Sequence, residues 1–321
     1  MTLLTPILLA LAPVFLLVGL GQWLRRRGLL DAAHVPVLNG LVINVTLPAL
    51  VLVGLLRAPR LSPSLALVLV AFIGAEAAAF GLLYLLGRRL GWRGPLLGAV
   101  LMVGVFGNTS FIGYPVTLAL LPGQFPETIL IDQFGLTVPM YLTAALLGAS
   151  LGEGGAGRRE AVVRFGRSPI FLSAIVALLL RQVPVLPSVA ALPLVHAGGM
   201  VLGRVLEILG QGTTPLVLLA LGAALRPEAV RGQAGPLALA CASKLLLLPL
   251  VVWGICRGLA GAGVGAEARL DAVLEAAMPS AVMSSVLAGQ SGLAGDFAVG
   301  VVFVSTVLSA LTLPLLLTLL R

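Results

Sequence analysis

The sequence predicts an all-α membrane protein that crosses the bilayer many times, and three observations support this fold class. The chain is 59% hydrophobic and only 10% charged, whereas soluble chains carry about 25% charged residues. Its apolar residues form long segments of about the 20 residues that a membrane helix needs. The alternating pattern of a transmembrane barrel is absent. We therefore expect a polytopic bundle in the lipid bilayer.

Ten apolar segments can be marked, and we predict one transmembrane helix for each. The first lacks a basic residue before its apolar run, so we expect a retained helix and not a signal peptide. The sixth is short, and residues 183–200 are expected to add a surface helix. The segments are residues 3–24, 37–56, 64–87, 95–121, 128–151, 169–182, 201–225, 236–258, 270–290 and 297–320.

The fourth segment is interrupted at residues 107–115, which read GNTSFIGYP. Pro115 has no backbone N–H to donate, and the glycines make an unwound backbone inexpensive. Lipid cannot satisfy the backbone groups that such a break frees, so the break must face protein, water or a ligand. The alternative is a plain kink, because Gly and Pro are common in membrane helices.

The two halves of the chain repeat each other in three places. Residues 44–48 match 211–215 in their amide, Thr and Pro, and residues 136–139 match 311–314. The ninth segment is interrupted at residues 278–280, as the fourth is near Asn108. The matches occur in the same order in both halves, which indicates an internal duplication.

Five spans per half is an odd number, so the halves must insert with opposite orientation. We predict a first inverted repeat at 1–151, a short cytoplasmic linker at 152–168 and a second repeat at 169–321. Inverted repeats that each contain a broken helix are typical of secondary transporters with a site near the bilayer midplane.

The arginines indicate how the chain is oriented. The loops after the first, third, fifth and seventh segments carry twelve arginines, and the opposite side carries seven. Because cytoplasmic loops are enriched in Lys and Arg, we predict both termini outside, in a multi-pass protein of the bacterial inner membrane. This topology accounts for the net charge of +8, so no nucleic-acid partner is expected.

The sequence resembles the auxin efflux carrier family of membrane transporters, in its bacterial branch. The resemblance rests on five short motifs in order, at residues 44–50, 107–115, 244–249, 276–280 and 305–314. Plant members have a long central hydrophilic loop. The short linker of this chain suits the compact bacterial members.

The resemblance implies ten helices in two inverted repeats, with helices 4 and 9 crossing at Pro115 and Pro279. Helices 1, 2, 6 and 7 would form a scaffold that is often a homodimer. Helices 3–5 and 8–10 would form a transport domain that moves against it, as in an elevator. The implied substrates are small organic anions: indole acetate in plants, and malate and related carboxylates in bacteria.

We expect the substrate to bind between the two interrupted helices and the wall opposite. The half-helices that begin at each break present free N–H groups and a partial positive charge, which suit a carboxylate. The alternatives are that these side chains cap the breaks, or form interhelical hydrogen bonds. The predicted substrate-binding residues are Asn108, Thr109, Ser110, Gly113, Pro115, Pro279, Ser280 and Ser284, with Ser285 beside them and Asn44 and Gln211 on the opposite wall.

Glu76 and Lys244 are the ionisable residues deepest within the predicted spans. They occupy nearly equivalent positions in the two repeats, and charges at this depth are usually functional. We expect them to support the crossing by bonding freed backbone groups, with Glu76 as a proton carrier. The alternative for Glu76 is a neutral, buried role. Glu275 is expected either to face the site or to end an outward-facing half-helix.

Several other functions are disfavoured. His34 and His196 have no partners at ligand spacing, so no metal is expected. No phosphate-binding loop of the form GxxxxGK[ST] occurs, so ATP hydrolysis is not expected. Cys241 and Cys256 look like apolar filler, and Asp31 looks like a solvated loop charge. We therefore expect neither a cofactor nor enzymatic activity.

The sequence leaves two alternative functions open. Residues 289–292 read GQSG, similar to rhomboid proteases, but that chemistry needs a base within reach of the serine, and no His follows residue 196. A sodium-coupled symporter of the bile-acid type would need acidic residues around the crossing. Only Glu275 is expected nearby.

Overall fold

The structure is a computed structural model in which every described element is helical. It describes residues 4–31, 33–56, 64–153, 163, 166–182, 193–224 and 232–319, with the side chains of 4–11 and 193–196 not included. Most of the predicted linker lies outside these residues. So do eight of the arginines used for the orientation, namely Arg57, Arg60, Arg158, Arg159, Arg164, Arg226, Arg231 and Arg321.

Thirteen helices can be named in the described chain, because long apolar runs alternate with Gly, Pro and polar turns. They are α1 (Leu4–Arg26), α2 (His34–Leu56), α3 (Leu65–Arg89), α4 (Gly94–Val105), α5 (Thr109–Leu120), α6 (Pro122–Leu151), α7 (Pro169–Leu180), α8 (Pro193–Gln211), α9 (Thr213–Ala224), α10 (Ala234–Ala262), α11 (Ala266–Ala276), α12 (Val282–Gln290) and α13 (Gly295–Leu319).

Each predicted apolar segment coincides with described helix. The fourth segment is the pair α4 and α5, and the ninth is the pair α11 and α12, so both predicted interruptions are present. Residues 193–200 form the start of α8 and not a separate surface helix, whereas 183–192 lie outside the described residues. Six helical stretches among the described residues, one of them running through α8 and α9, are long and apolar enough to cross a membrane. The number of ten crossings and the inverted repeats stay predictions.

The chain divides into two compact units, each built from both halves of the sequence. The first unit comprises Met1–Leu16, Ser62–Phe165 and Leu225–Arg321. The second comprises Leu17–Leu61 and Gly166–Ala224. The second unit therefore contains α2, α7, α8 and α9, and the first contains α3–α6 and α10–α13. The first helix, α1, is divided between the units at Leu16. The assignment of scaffold and transport helices stays a prediction.

Small residues allow close helix packing inside the second unit. A Cβ added to Gly21 would overlap the carbonyl of Leu219, and one added to Gly222 would overlap the carbonyl of Val18. The hydrophobic effect does not drive helices together in lipid, so membrane helices are stabilised by close packing of their backbones at small residues. The glycines of α1 and α9 therefore fix the contact between these helices.

Asp31 lies in the turn before α2 and caps the start of this helix. Its carboxylate accepts from the backbone N–H groups of Ala33 at 2.8 Å and His34 at 3.2 Å. These bonds stabilise the charged form, so they lower the pKa of Asp31 below its usual value. Asp31 is exposed, as expected for a loop charge, and it also orders the turn between α1 and α2.

Four helices contain a π-helical turn, which is a wider turn often found at functional sites. The turns are Val42–Thr46, Thr109–Gly113, Ile131–Thr137 and Ser243–Leu247. They carry Asn44, the pair Thr109 and Ser110, Asp132, and Lys244, respectively. These polar residues thus coincide with local departures from α-helical geometry.

Candidate functional site

The two interrupted helices meet in a short antiparallel backbone pairing, here called the crossing (residues 106–108 and 279–281). The N–H of Asn108 donates to the carbonyl of Pro279 at 2.7 Å. The N–H of Ala281 donates to the carbonyl of Phe106 at 3.0 Å. Backbone groups freed by one break are therefore satisfied by the other, as a membrane interior requires. Two independent kinks would not pair in this way.

The prediction that the helices cross at Pro115 and Pro279 is wrong for Pro115. The bridge pairs Gly107 with Ser280, and Pro115 lies within the first turn of the regular helix Tyr114–Leu120. The pairing needs extended backbone, which Phe106 adopts with φ −83° and ψ 125°. The strand-like residues precede the proline because the helix restarts before reaching it.

Lys244 lies against the crossing from α10. Its ammonium donates to the carbonyl of Ala276, at the last residue of α11. A Cβ on Gly107 would lie 2.9 Å from Lys244 Cε, so the glycine makes room for the lysine side chain. Glu76 of α3 lies within electrostatic range of Lys244. Its two buried carboxyl oxygens have no hydrogen-bond partner in the described part of the chain.

The hydroxyl groups of the second break are occupied by the protein. Ser280 donates to the carbonyl of Val103 at 2.6 Å, and its N–H donates to Ser305 Oγ at 3.1 Å. Ser284 and Ser285 each donate 2.7 Å bonds to carbonyls of the preceding turn. These hydroxyls donate to carbonyl groups at the C-terminal end of α4 and at the start of α12. Capping of the breaks was the alternative to substrate contact for these side chains.

Thr109 and Ser110 point to a carboxylate that the sequence analysis did not identify. Asp132 of α6 accepts from both hydroxyls, with Ser110 at 2.6 Å, and from Tyr114 at 2.7 Å and Gln133 Nε2 at 2.8 Å. Four donors around one buried carboxylate stabilise its charge. Asp132 thereby fixes the first turn of α5 to α6.

A second acidic group lies between α5, α6 and α11. Thr117 donates to Glu275 Oε1 at 2.8 Å, and Thr128 lies 2.9 Å from both oxygens of Asp271. Asp271 and Glu275 have no solvent exposure. A Cβ on Gly113 would overlap the Glu275 carboxylate. Of the two roles considered for Glu275, its side chain takes the interior one.

The expectation that Glu275 alone among the acidic residues lies near the crossing is wrong, because Asp132 and Asp271 accompany it. Both aspartates stand near the start of an apolar segment, where a charge resembles a boundary. The spacing of four residues between Asp271 and Glu275 places them on one helix face. This spacing is the sequence feature that could have predicted that Asp271 accompanies Glu275. Asp132 had no comparable signal, since three of its four partners come from α5.

The side chain of Asn108, at the crossing, has an unused hydrogen-bond donor. The backbone carbonyl of Asn108 accepts from the N–H groups of Ile112 and Gly113 at 3.0 and 3.1 Å. Its side-chain Nδ2 is buried and has no hydrogen-bond partner within the described residues. A buried unsatisfied amide is expensive and calls for a ligand or water.

Asn44 and Gln211 belong to the second unit and are exposed. The amide of Asn44 donates to the carbonyl of Gly40 at 2.8 Å, within its own helix. Their placement on the wall opposite the breaks stays a prediction. Across the described ranges, no group of three or more His, Cys, Asp or Glu residues could hold a metal ion.

Ser291, the serine of the GQSG sequence, follows α12. Its N–H donates to the carbonyl of Leu287 at 2.9 Å, and a Cβ on Gly148 would lie 2.9 Å from Ser291 Cβ. The residue therefore packs tightly against α6, and this contact gives it a structural role.

Comparison with known proteins agrees with the resemblance seen in the motifs. The chain matches the family described as membrane transport protein over residues 6–145 and 159–317. It is 30% identical over 304 residues to an uncharacterized transporter of Methanothermobacter thermautotrophicus, covering 94% of each chain. It is 26% identical over 224 residues to an uncharacterized transporter of Methanocaldococcus jannaschii, covering 68% of each. The chain belongs to the membrane transport protein family that includes the auxin efflux carriers.

Proposed function

We propose that the chain is a secondary transporter that moves a small organic anion, a malate-like or auxin-like carboxylate, by alternating access at the crossing. The observation that carries this proposal is the pairing of two broken helices with the unsatisfied amide of Asn108 beside it. A membrane helix interrupted at this depth is tolerated only where it lines a site or is buried in protein.

The direction of the helices at the crossing favours an anion. Both α5 and α12 begin there, so the first N–H groups of each point toward the pairing. Helix N-termini carry about half a positive charge and bind carboxylates readily. Asn108 Nδ2 adds a donor at the same place. A carboxylate substrate would receive hydrogen bonds that the described protein atoms leave open.

The grouping of helices supports an elevator-like mechanism. The crossing lies wholly in the first unit, and the second unit contains most of the helices that the resemblance assigns to a scaffold. We propose that the first unit carries the substrate, and that the second forms the homodimer. In this proposal both termini lie on the outer side of the cell membrane.

A sodium-coupled symporter of the bile-acid type is the second candidate. It is favoured by Asp132 and Asp271, which join Glu275 near the crossing. Uptake into vesicles with and without a sodium gradient, at equal pH on both sides, separates this candidate from the first. Uptake that requires a sodium gradient would favour the symporter.

The proposal is tested by thermal unfolding of the purified protein with malate, indole acetate, sugars and cationic amines. A ligand present at 100 times its Kd stabilises the folded state by about 2.7 kcal/mol. We expect a carboxylate to raise the melting temperature, and N108D to lose this response. N39D makes the same chemical change in the second unit and should keep it. Stabilisation by sugars or amines alone would contradict the anion assignment.

A further inference from the structure

We infer that Asp271 and Glu275 form a proton-binding site that couples proton movement to transport. The inference rests on the proposed transport function and names the coupling ion of that site. The two residues are called the acid pair below. They belong to α11, the half-helix that ends at the crossing.

The acid pair is held together by hydroxyl groups from two other helices. Thr117 Oγ1 lies 2.8 Å from Glu275 Oε1 and 3.5 Å from Asp271 Oδ1, so it bridges the two carboxyl groups. Thr128 lies 2.9 Å from both oxygens of Asp271. Both threonines are fully buried. The pair therefore has a fixed geometry that includes no water-exposed oxygen.

The hydrogen bonds available do not suffice for two ionised carboxylates. Each threonine has one hydroxyl hydrogen, and Thr128 is also 3.1 Å from the carbonyl oxygen of Gln124. Independently, Glu275 Oε2 is buried without any hydrogen-bond partner in the described chain. An oxygen in this state needs a proton or another ligand, because an unpaired buried charge is very costly.

The surrounding charges make a proton on the acid pair more necessary. Asp132 and Lys244 lie within electrostatic range of Glu275, and Glu127 lies within range of Asp271. Tyr114 also lies within range of Glu275. Lys244 is the one buried cation among the described residues, and it is already bonded to a backbone carbonyl.

The remaining charged groups on α10 and α11 are engaged elsewhere. The Arg257 guanidinium stacks over Trp253 at 5.0 Å. Arg269 donates to the carbonyl of Val264 at 2.7 Å, and Glu267 accepts from Gln124 at 3.3 Å. None of these bonds reaches the acid pair. Glu76 from α3 is in range of Lys244 and would add a further negative charge.

Proton binding by the acid pair explains how an anion can enter this region. If Glu76, Asp132, Asp271 and Glu275 were all ionised, four negative charges would face the single Lys244. Asp132 is stabilised by its four donors, so the acid pair is the better place for a proton. The pair would take a proton from the side to which the site is open, and release it with the anion on the other side.

The test uses the full chain in proteoliposomes with radiolabelled malate as the probe. Two modes are measured: accumulation driven by a pH gradient, and counterflow with malate on both sides at equal pH. We expect E275Q and D271N to lose the first and retain the second, because counterflow needs no net proton movement. E267Q changes the exposed glutamate of the same helix and should behave like the unchanged protein. Gradient-driven accumulation by E275Q at the unchanged level would overturn the inference.

A second measurement keeps the inference testable if the variants fold poorly or malate is not a substrate. Difference infrared spectroscopy of the unchanged protein reports the C=O stretch of a protonated carboxyl group directly. We expect a band that persists at neutral pH, where exposed carboxyl groups are ionised, and that changes in E275Q where this variant folds. The absence of any protonated-carboxyl band at neutral pH would overturn the proton site. Absence of malate counterflow with the band present would instead count against the proposed substrate.

Discussion

Replacing Lys244 by methionine should destabilise the protein strongly, because the lysine holds α11 at the crossing. The variant K244M removes the bond to the carbonyl of Ala276. A buried carbonyl left without a partner costs about 1–3 kcal/mol. Removing one member of a buried charge group costs about 3–5 kcal/mol in total, and the two effects overlap in this variant.

We therefore expect K244M to lose about 3–5 kcal/mol of unfolding free energy. At about 2–4 °C per kcal/mol, the melting temperature should fall by roughly 10 °C. The assay is thermal unfolding in detergent, monitored by fluorescence. R257M removes an exposed cation from the same helix and should change the melting temperature little, since exposed cation–π contacts contribute about 0.5–1 kcal/mol.

The double variant K244M/E76Q tests the electrostatic part of this reasoning. Glu76 lies in range of Lys244, so removing both charges should recover part of the lost stability. Coupling energies between such neighbours are about 0.5–3 kcal/mol. An unchanged melting temperature in K244M would refute the proposed role of the lysine. Effects of K244M and E76Q that simply add would refute its electrostatic coupling to Glu76.

Three further substitutions test the packing described above. G113A places a methyl group into a buried carboxylate, so we expect lower stability and lost uptake, whereas G123A, in an exposed turn, should be neutral. S280A leaves a carbonyl at the end of α4 unpaired and should cost about 1–3 kcal/mol, compared with little for S150A on an exposed helix face. G222A forces α1 and α9 apart, and should lower the melting temperature without abolishing carboxylate binding by the first unit.

Much of the fold follows from the sequence because membrane helices satisfy their own backbone. Apolar length is then enough to place the helices, and the interruptions near Asn108 and Pro279 stand out as polar, Gly-containing or Pro-containing stretches. The depth of Lys244 similarly marks it, since a charge there needs a reason. These local signals do not require knowledge of which helices touch.

The details that escaped prediction depend on contacts between distant parts of the chain. The bond from Thr128 to Asp271 joins residues 143 apart in sequence, and no local pattern specifies it. Asp132 looks like a segment boundary until its donors on α5 are known. The crossing point lies at Gly107 and not Pro115, because backbone pairing with another helix, and not proline, decides which residues become extended.

Access to Asn108 from the two sides of the membrane tests the central proposal most directly. N108C is made in a background with C241S and C256S, and sealed vesicles are treated with a membrane-impermeant thiol reagent from either side. Alternating access predicts labelling from both sides, with protection by a bound carboxylate. Labelling from one side alone, or no protection by any carboxylate, would contradict transport through the crossing.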